Sequence, residues 1–479
     1  MTLKTPTLLL STLLAGSMAL SGCAVAAKSA RTAPPALVPP VAWNATAQGV
    51  SAQGAADLAA WWTSLRDDTL SALITNALAA NTDVRVAQLR LRETRAQRAI
   101  TRSQLYPSVN ANGSASGSKR EGSDASGNVG ASIDASWEPD VFGGTHAAVR
   151  AATAEVNAVE ADLHATQVSL AAEVATTYVE LRGLQKRLEI ARQNEASQAE
   201  TLQLTEWRRQ AGLANSIDVE QARTNLEQTR AQIPTSESAI VQSMHALAVL
   251  TGQEPTALVN TLAPIAPLPT LPDAVVVGIP ANTLRQRPDI VAAEQRVVAA
   301  IANVESARAA LYPSFALSGS IGVEVLTGAV TGGTSFLSSL VGRVGQTLFD
   351  GGRLRQQVEM QTAAQERTVA SYEGTVLTAL QDVENALTAF EKRRERLESL
   401  ERAQEAARTA AQLARAQYTA GLADFQRVLD TERTVLSVEE AVVTTETERV
   451  TALIQLYKAL GGGWPAGTVG AETGKATAS

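Results

Sequence analysis

The one thiol in the chain, Cys23, stands where lipid chemistry would act on it. Leu20-Ser21-Gly22-Cys23 has the form of a bacterial lipobox, in which the chain is cut before the cysteine, the sulfur takes a diacylglyceryl group and the freed amine is N-acylated. Upstream, Lys4, the apolar run Leu8 to Leu14 and the small residues Ala15, Gly16 and Ser17 follow signal-peptide architecture. The reading expected is a lipoprotein signal peptide over 1–22 and a mature, exported chain that begins at Cys23. The alternative is an ordinary signal peptide with a chance cysteine. A single cysteine excludes any disulfide within one chain, and acylation would leave no reactive thiol. Ala24, rather than Asp, resembles a signal for delivery to the outer membrane.

Other residue types that could carry chemistry are scattered. His146, His164 and His245 lie on separate segments with no ligand spacing, so no metal site is expected. Gly143-Gly144 and Gly351-Gly352 are followed by no Lys-Ser or Lys-Thr, so they are not phosphate cradles, and no convincing Gly-x-Ser-x-Gly nucleophile occurs with partnered His and Asp. Neither a cofactor nor an enzyme activity is expected. The net charge of -7 argues against nucleic acid as a partner. The basic residues alternate with acids instead, as in Glu391-Lys392-Arg393-Arg394-Glu395-Arg396, which reads as a solvated helix face. No window after residue 22 holds about 18 uninterrupted apolar residues, so any membrane crossing has to be made of strands.

The elements that must position anything here are written twice. Arg102-Ser103-Gln104-Leu105-Tyr106-Pro107-Ser108 returns 206 residues later as Arg308-Ala309-Ala310-Leu311-Tyr312-Pro313-Ser314. Val141-Phe142-Gly143-Gly144 returns as Leu348-Phe349-Asp350-Gly351-Gly352, and the segment around Gly212 returns around Gly421. Leu250-Thr251-Gly252 returns as Leu460-Gly461-Gly462. The expected organisation is an N-terminal segment over 23–68, a first repeat over 69–262, a Pro-rich linker over 263–281, a second repeat over 282–463 and a C-terminal tail over 464–479. In each repeat a helix (about 69 to 105, and 282 to 311) stops at Tyr-Pro, because proline pushes the residue before it out of helical geometry. A hairpin then follows, about 108–138 and 314–347. Val129, Ala131, Ile133, Ala135 and Trp137 alternate with polar residues, as do Phe315, Leu317, Ile321 and Val323. That period of two, in segments of about ten residues, suits a transmembrane strand with one face to lipid. The residues between the strands, Lys119 to Gly127 and Leu326 to Ser335, read as loops.

Beyond Gly144 and Gly352 the period becomes helical. Val149, Val156, Leu163 and Leu170 recur at sevens; Val174, Leu181 and Leu188 resume after a shift of four; Val369, Val376, Val383, Phe390 and Leu397 mark the second copy. These are coiled-coil seams, the first with a stutter. Each run of about 65 residues would be roughly 100 Å long, far more than a membrane, so these helices project into water. Two hairpins give only four strands per chain, whereas closed membrane barrels begin at about eight, so the barrel has to be shared between chains. Two chains would give eight strands and a filled lumen; three would give 12 and an aqueous path. A periplasmic coiled-coil tether or adhesin would explain the heptads but not two alternating hairpins at corresponding places.

The residues also carry a resemblance. Leu284-Arg285-Gln286-Arg287-Pro288-Asp289-Ile290, Ala307 to Ser314, Phe349-Asp350-Gly351-Gly352-Arg353 and Tyr418-Thr419-Ala420-Gly421-Leu422 to Val428-Leu429-Asp430 are similar to the outer-membrane factor family, the TolC, OprM and NodT group. The resemblance implies an α+β membrane protein: a homotrimer with a twelve-stranded β-barrel in the outer membrane, a long α-helical barrel in the periplasm and a mixed belt between them. It implies a passive exit duct for drugs or other small molecules, partnered by a periplasmic adaptor and an inner-membrane pump of the resistance-nodulation-division type. By the same resemblance Asp430, nine residues after Gly421, is the constriction aspartate. Arg427 stands where some members have a second aspartate, and Gln426 where some have an apolar constriction residue. Asp218 and Tyr418 match a gate-locking network whose usual arginine is replaced by Ala423. Gly212 and Gly421 mark the helix break and the tip where the adaptor would dock. Independently of the family, three carboxylates around a narrow axis would attract cations.

Overall fold

The structure, a computed structural model, describes residues 40, 42–45, 50–51, 58–119, 121, 125–272, 275–277, 285–327 and 333–464. Cys23, the signal segment and nearly all of the C-terminal tail lie outside the described residues. The elements in order are β1 (Val50–Ser51), α1 (Asp68–Ala80), α2 (Thr82–Ser103), β2 (Ser108–Ser118), β3 (Ser126–Trp137), α3 (Gly144–Gln210), α4 (Ser216–Leu250) and α5 (Val259–Leu262). The second half runs β4 (Val275–Val276), α6 (Pro288–Ala309), β5 (Ser314–Thr327), β6 (Gly333–Gly345), α7 (Arg353–Thr419) and α8 (Phe425–Ala459).

The duplication is visible element by element. α3 and α7 are each 67 residues long, and α4 and α8 are each 35 residues long. The seam positions Val156, Leu163, Leu170, Val174, Leu181, Leu188, Val376, Val383, Phe390 and Leu397 are buried. Val149 and Val369, the first of each series, are only half-buried. None of the helices among the described residues is long and apolar enough to cross a membrane.

The strands form one antiparallel sheet in the order β2-β3-β5-β6, so the two hairpins join through β3 and β5. Ala111 pairs with Ile133, Ile133 with Ile321 and Ile321 with Ser338, which sets the odd-numbered residues of β2, β3 and β5 on one face. On that face Val109, Ile133, Ile321, Phe336 and Leu340 stand exposed in the single chain. The other face carries Asn112, Ser132, Asp134, Ser320 and Ser339; Asn112 donates to the Asp134 carboxylate at 2.6 Å and Ser320 bonds Ser339 at 2.8 Å. One face suits lipid and the other water, and the outer edges of β2 and β6 find no strand partner among the described residues. The strands reach further than the sequence suggests: β3 begins at Ser126, β5 runs to Thr327 and β6 begins at Gly333.

The first helix of repeat one departs from the expected single run. It breaks at Asn81, whose side-chain oxygen accepts from the Asp83 and Val84 amides at 2.7 and 3.3 Å while its amide donates to the Leu250 carbonyl at 2.9 Å. An asparagine that caps one helix and ties down the end of another breaks the helix with no proline. In repeat two, α6 starts at Pro288, with Arg287 extended before it and proline at the first helical position. The core lies at the equator. Trp61 stacks on Tyr457 with centroids 5.1 Å apart, Gly463 donates to the Leu58 carbonyl at 2.7 Å, and Tyr178, Leu181, Leu247 and Leu453 are fully buried around them. N-terminal and C-terminal segments therefore pack together against α3 and α8.

Candidate functional site

The far ends of the two helical hairpins are built alike. α3 and α7 each end on a glycine in left-handed geometry, Gly212 at φ 75° and Gly421 at φ 74°. The following amides, of Leu213 and Leu422, reach back to the carbonyls of Arg208 and Gln417 at 2.8 Å, closing each helix as a Schellman turn. Asn215 and Asp424 then cap α4 and α8. The turns leave Trp207, Leu213, Ile217 and Leu422 exposed, an apolar cluster at the tip.

The sequence-predicted residues gather near this tip. Asp430 and Gln426 are exposed one turn apart on α8, and Gln426 donates to Asp430 at 3.1 Å. Arg427 is exposed in the same turn; its backbone amide donates to the capping Asp424 at 3.1 Å. Asp218 is half-buried and completes a capping box with Asn215, the two reciprocal bonds measuring 2.8 and 3.2 Å. Tyr418 is buried with Ala222, Phe425, Val428 and Leu429, and the Arg208 guanidinium lies 4.5 Å from its ring centroid. Its hydroxyl makes no hydrogen bond, so within one chain Tyr418 packs as an aromatic and is not joined to Asp218.

The residues that do tie helices together here are ones that the sequence reading passed over. Glu432 on α8 is buried, accepts from Arg415 on α7 at 2.8 Å and accepts from the Thr201 hydroxyl on α3 at 2.8 Å. Seven residues along α8, Glu439 is buried and accepts from Arg408 at 2.8 Å, with Asn194 on α3 at 3.5 Å. Seven further along, the same antiparallel register brings Glu446 opposite Glu401, with Lys186 on α3 nearby. Burial pushes the Glu446 carboxyl above its usual value; Lys186 on α3 opposes it most, and the Glu401 charge adds a smaller push upward. This ladder bolts α3, α7 and α8 together in the last turns before the tip. Its signal was present in the sequence as acids and arginines repeating at sevens, but only the antiparallel register shows that they meet.

At the other end of α8, Arg287 is buried and closes the equator. It forks onto Asp289 at 2.7 and 3.0 Å, reaches Asp382 on α7 at 3.2 Å and donates to the Ala459 carbonyl at 2.8 Å. Burial pulls its pKa down, but the two carboxylates outweigh burial and hold it above the ordinary arginine value. The histidines stay apart: His146 bonds Asp140 at 2.6 Å and His164 stacks on Trp464.

This architecture matches known proteins along nearly its whole length. A family model described as outer membrane efflux protein matches residues 73–253 and 279–462. The chain belongs to the outer membrane efflux protein family. Among relatives, the outer membrane protein OprJ of Pseudomonas aeruginosa is 32% identical, covering 94% of this chain and 95% of that one. Among solved structures, the outer-membrane channel OprN has a TM-score of 0.81 at 36% identity over 90% of this chain and 99% of its own. VceC of Vibrio cholerae has a TM-score of 0.76 at 28% identity over 85% and 99%. Family membership decides between duct and tether: this efflux protein is an outer-membrane channel, one subunit of a homotrimer that works with a periplasmic adaptor and an inner-membrane pump. In it the open strand edges, the apolar sheet face and the long helices each have a place.

Proposed function

We propose that this efflux protein conducts drugs or other small molecules passively, with no chemistry of its own, through a tunnel that narrows at the helix tip. The observation that carries the gate assignment is the exposed pair Gln426 and Asp430 on the first turns of α8, beyond the buried ladder at Glu432 and Glu439. Three copies of Asp430 around an axis would bind cations and narrow the path. Arg427 beside it reduces the negative charge of that mouth, and the Glu432 ladder holds it shut. The tunnel opens where α7 and α8 swing away from α3. The apolar tip around Gly212 and Gly421 is the surface offered to the adaptor.

The same reading anchors the mature chain by lipid on Cys23. Metabolic labelling with a palmitate analogue should mark the wild-type protein and leave Cys23→Ser unmarked, and the intact mass of the mature chain should equal a sequence beginning at Cys23 with its acyl groups. A mature chain that starts elsewhere, or an unacylated Cys23, would remove the anchor from the account.

A further inference from the structure

Below the equator α3, α7 and α8 leave a groove between them. Two adjoining cavities, of about 430 and 440 Å³, share Ala386, Ala389 and Gln455. The floor is apolar, made by Leu184 of α3, Ala386 and Ala389 of α7 and Ala452 of α8. Gly183 lets α8 come in close, since a Cβ there would stand 2.4 Å from the Thr447 hydroxyl. Helix geometry gives the side on which the groove opens, because a residue two positions along an α-helix points about 200° away. On α8, Gln455 lines the groove while Tyr457 stacks on Trp61. On α3, Glu180 and Leu184 line it, while Arg182 between them donates to the Pro264 carbonyl at 2.8 Å. On α7, Asp382 and Ala386 line it, while Glu384 between them accepts from the Asn44 and Ala45 amides at 2.8 and 2.9 Å. All three helices therefore turn one side to the N-terminal segment and linker and the opposite side to the groove. An N-terminal segment anchored by lipid at Cys23 descends outside the barrel, so its side of the helices is the periplasmic one and the groove faces the tunnel.

The charges of the groove are only partly paired. Arg393 meets Glu448 at 3.4 Å, and Arg287 is taken up by Asp289 and Asp382. Arg187 and Lys458 have no ion-pair partner among the described residues, and the buried Nε of Arg187 has no hydrogen bond. A half-buried guanidinium has lost water without gaining an acceptor, and an anion arriving beside it supplies one. Glu180, the lining acid without a partner among the described residues, is exposed and lies roughly 10 Å from Arg187 along α3. Resting on the reading of a lipid-anchored export duct, we propose that this groove is a way station in the tunnel wall for amphipathic anions. A flat apolar body lies on Leu184, Ala386, Ala389 and Ala452, and a carboxylate, sulfonate or phosphate head meets Arg187. Apolar lining with a few placed polar groups is the usual make-up of a small-molecule site. Weak binding suits it, since cargo that enters must also leave.

The probe is azidonaphthalene sulfonate, an amphipathic anion that labels on illumination, applied to the full-length trimer in lipid nanodiscs, with labelled peptides mapped by mass spectrometry. Labelling should saturate and fall on the peptides that carry Leu184, Ala386, Ala389 and Ala452. Arg187→Gln should weaken half-saturation about tenfold, and Arg187→Lys should restore most of it. Neutral azidonaphthalene should label wild type and Arg187→Gln alike. Ala389→Phe, which fills the floor and leaves every charge in place, should abolish labelling at the groove. Equal half-saturation in wild type and Arg187→Gln, or label spread evenly along the helices, would overturn the proposal. A second measurement reads the side. In intact cells a maleimide too large for general porins should reach Thr451→Cys through the barrel, whereas Thr63→Cys on the belt should react only after the outer membrane is permeabilised. A Thr451→Cys variant that also needs permeabilisation would overturn the placement in the tunnel. Protein that is not trimeric in nanodiscs would instead overturn the duct reading itself.

Discussion

Replacing Arg415 by alanine should give a channel that leaks in its resting state. Glu432 would keep its burial and the Thr201 hydroxyl but lose the Arg415 guanidinium at 2.8 Å, and one of its oxygens already lacks a hydrogen bond among the described residues. Removing one partner of a fully buried pair costs about 3 to 5 kcal/mol. Arg415 is 39% exposed, so water screens part of the loss and about 2 kcal/mol is the better expectation. That weakens the rung two turns from the tip, where α7 and α8 would part from α3. In planar bilayers the Arg415→Ala trimer should open more often and to larger conductance than wild type. Asp430→Ala should also leak, and should in addition lose block by divalent or trivalent cations, because it removes the ring charge itself. Unchanged conductance in Arg415→Ala would dismiss the ladder as a lock, and unchanged cation block in Asp430→Ala would leave that residue as a solvated helix-face acid.

The largest stability effect is expected at Arg287. Its guanidinium makes a bidentate bond to Asp289, a bond to Asp382 and a bond to the Ala459 carbonyl, so truncation leaves groups on α6, α7 and the end of α8 without their donor. Asp289 and Asp382 are 41% and 46% exposed, so water takes up part of the loss, and the expected cost of Arg287→Ala is about 2 to 3 kcal/mol. Arg287→Lys should recover little of it, because a single ammonium cannot reproduce a planar fork with several directed donors. Thermal unfolding of the detergent-solubilised protein would show a clear drop for both variants. A melting curve for Arg287→Ala that overlays the wild type would mean that the equator is held by apolar packing around Trp61 and Tyr457 instead.

Much of the architecture was legible because it is periodic. Alternation at Val129 to Trp137 specified which strand face is apolar, and sevens through Val376 to Leu397 specified the seam, since both periods follow from backbone geometry alone. What escaped was specified by contacts between distant segments. Asn81 interrupts a good helical pattern, and besides its local cap it is the distant Leu250 carbonyl waiting beside it that makes the break favourable. Glu432 and Glu439 were passed over, since nothing local announces that Arg415 and Arg408 lie opposite them. Tyr418 was matched by resemblance to a gate-locking network, and only the fold shows its ring packed against Phe425 and beneath Arg208. Pattern reveals elements, but a polar side chain acquires its role from a partner hundreds of residues away.

The central claim is that three copies of this chain close one barrel. Electron microscopy of the detergent-purified mature protein tests it most directly. The account predicts a threefold particle with a short barrel continued by a helical tube roughly 100 Å long, as 67-residue helices require. A monomeric or twofold particle, or one whose β2 and β6 edges remain open, would contradict it.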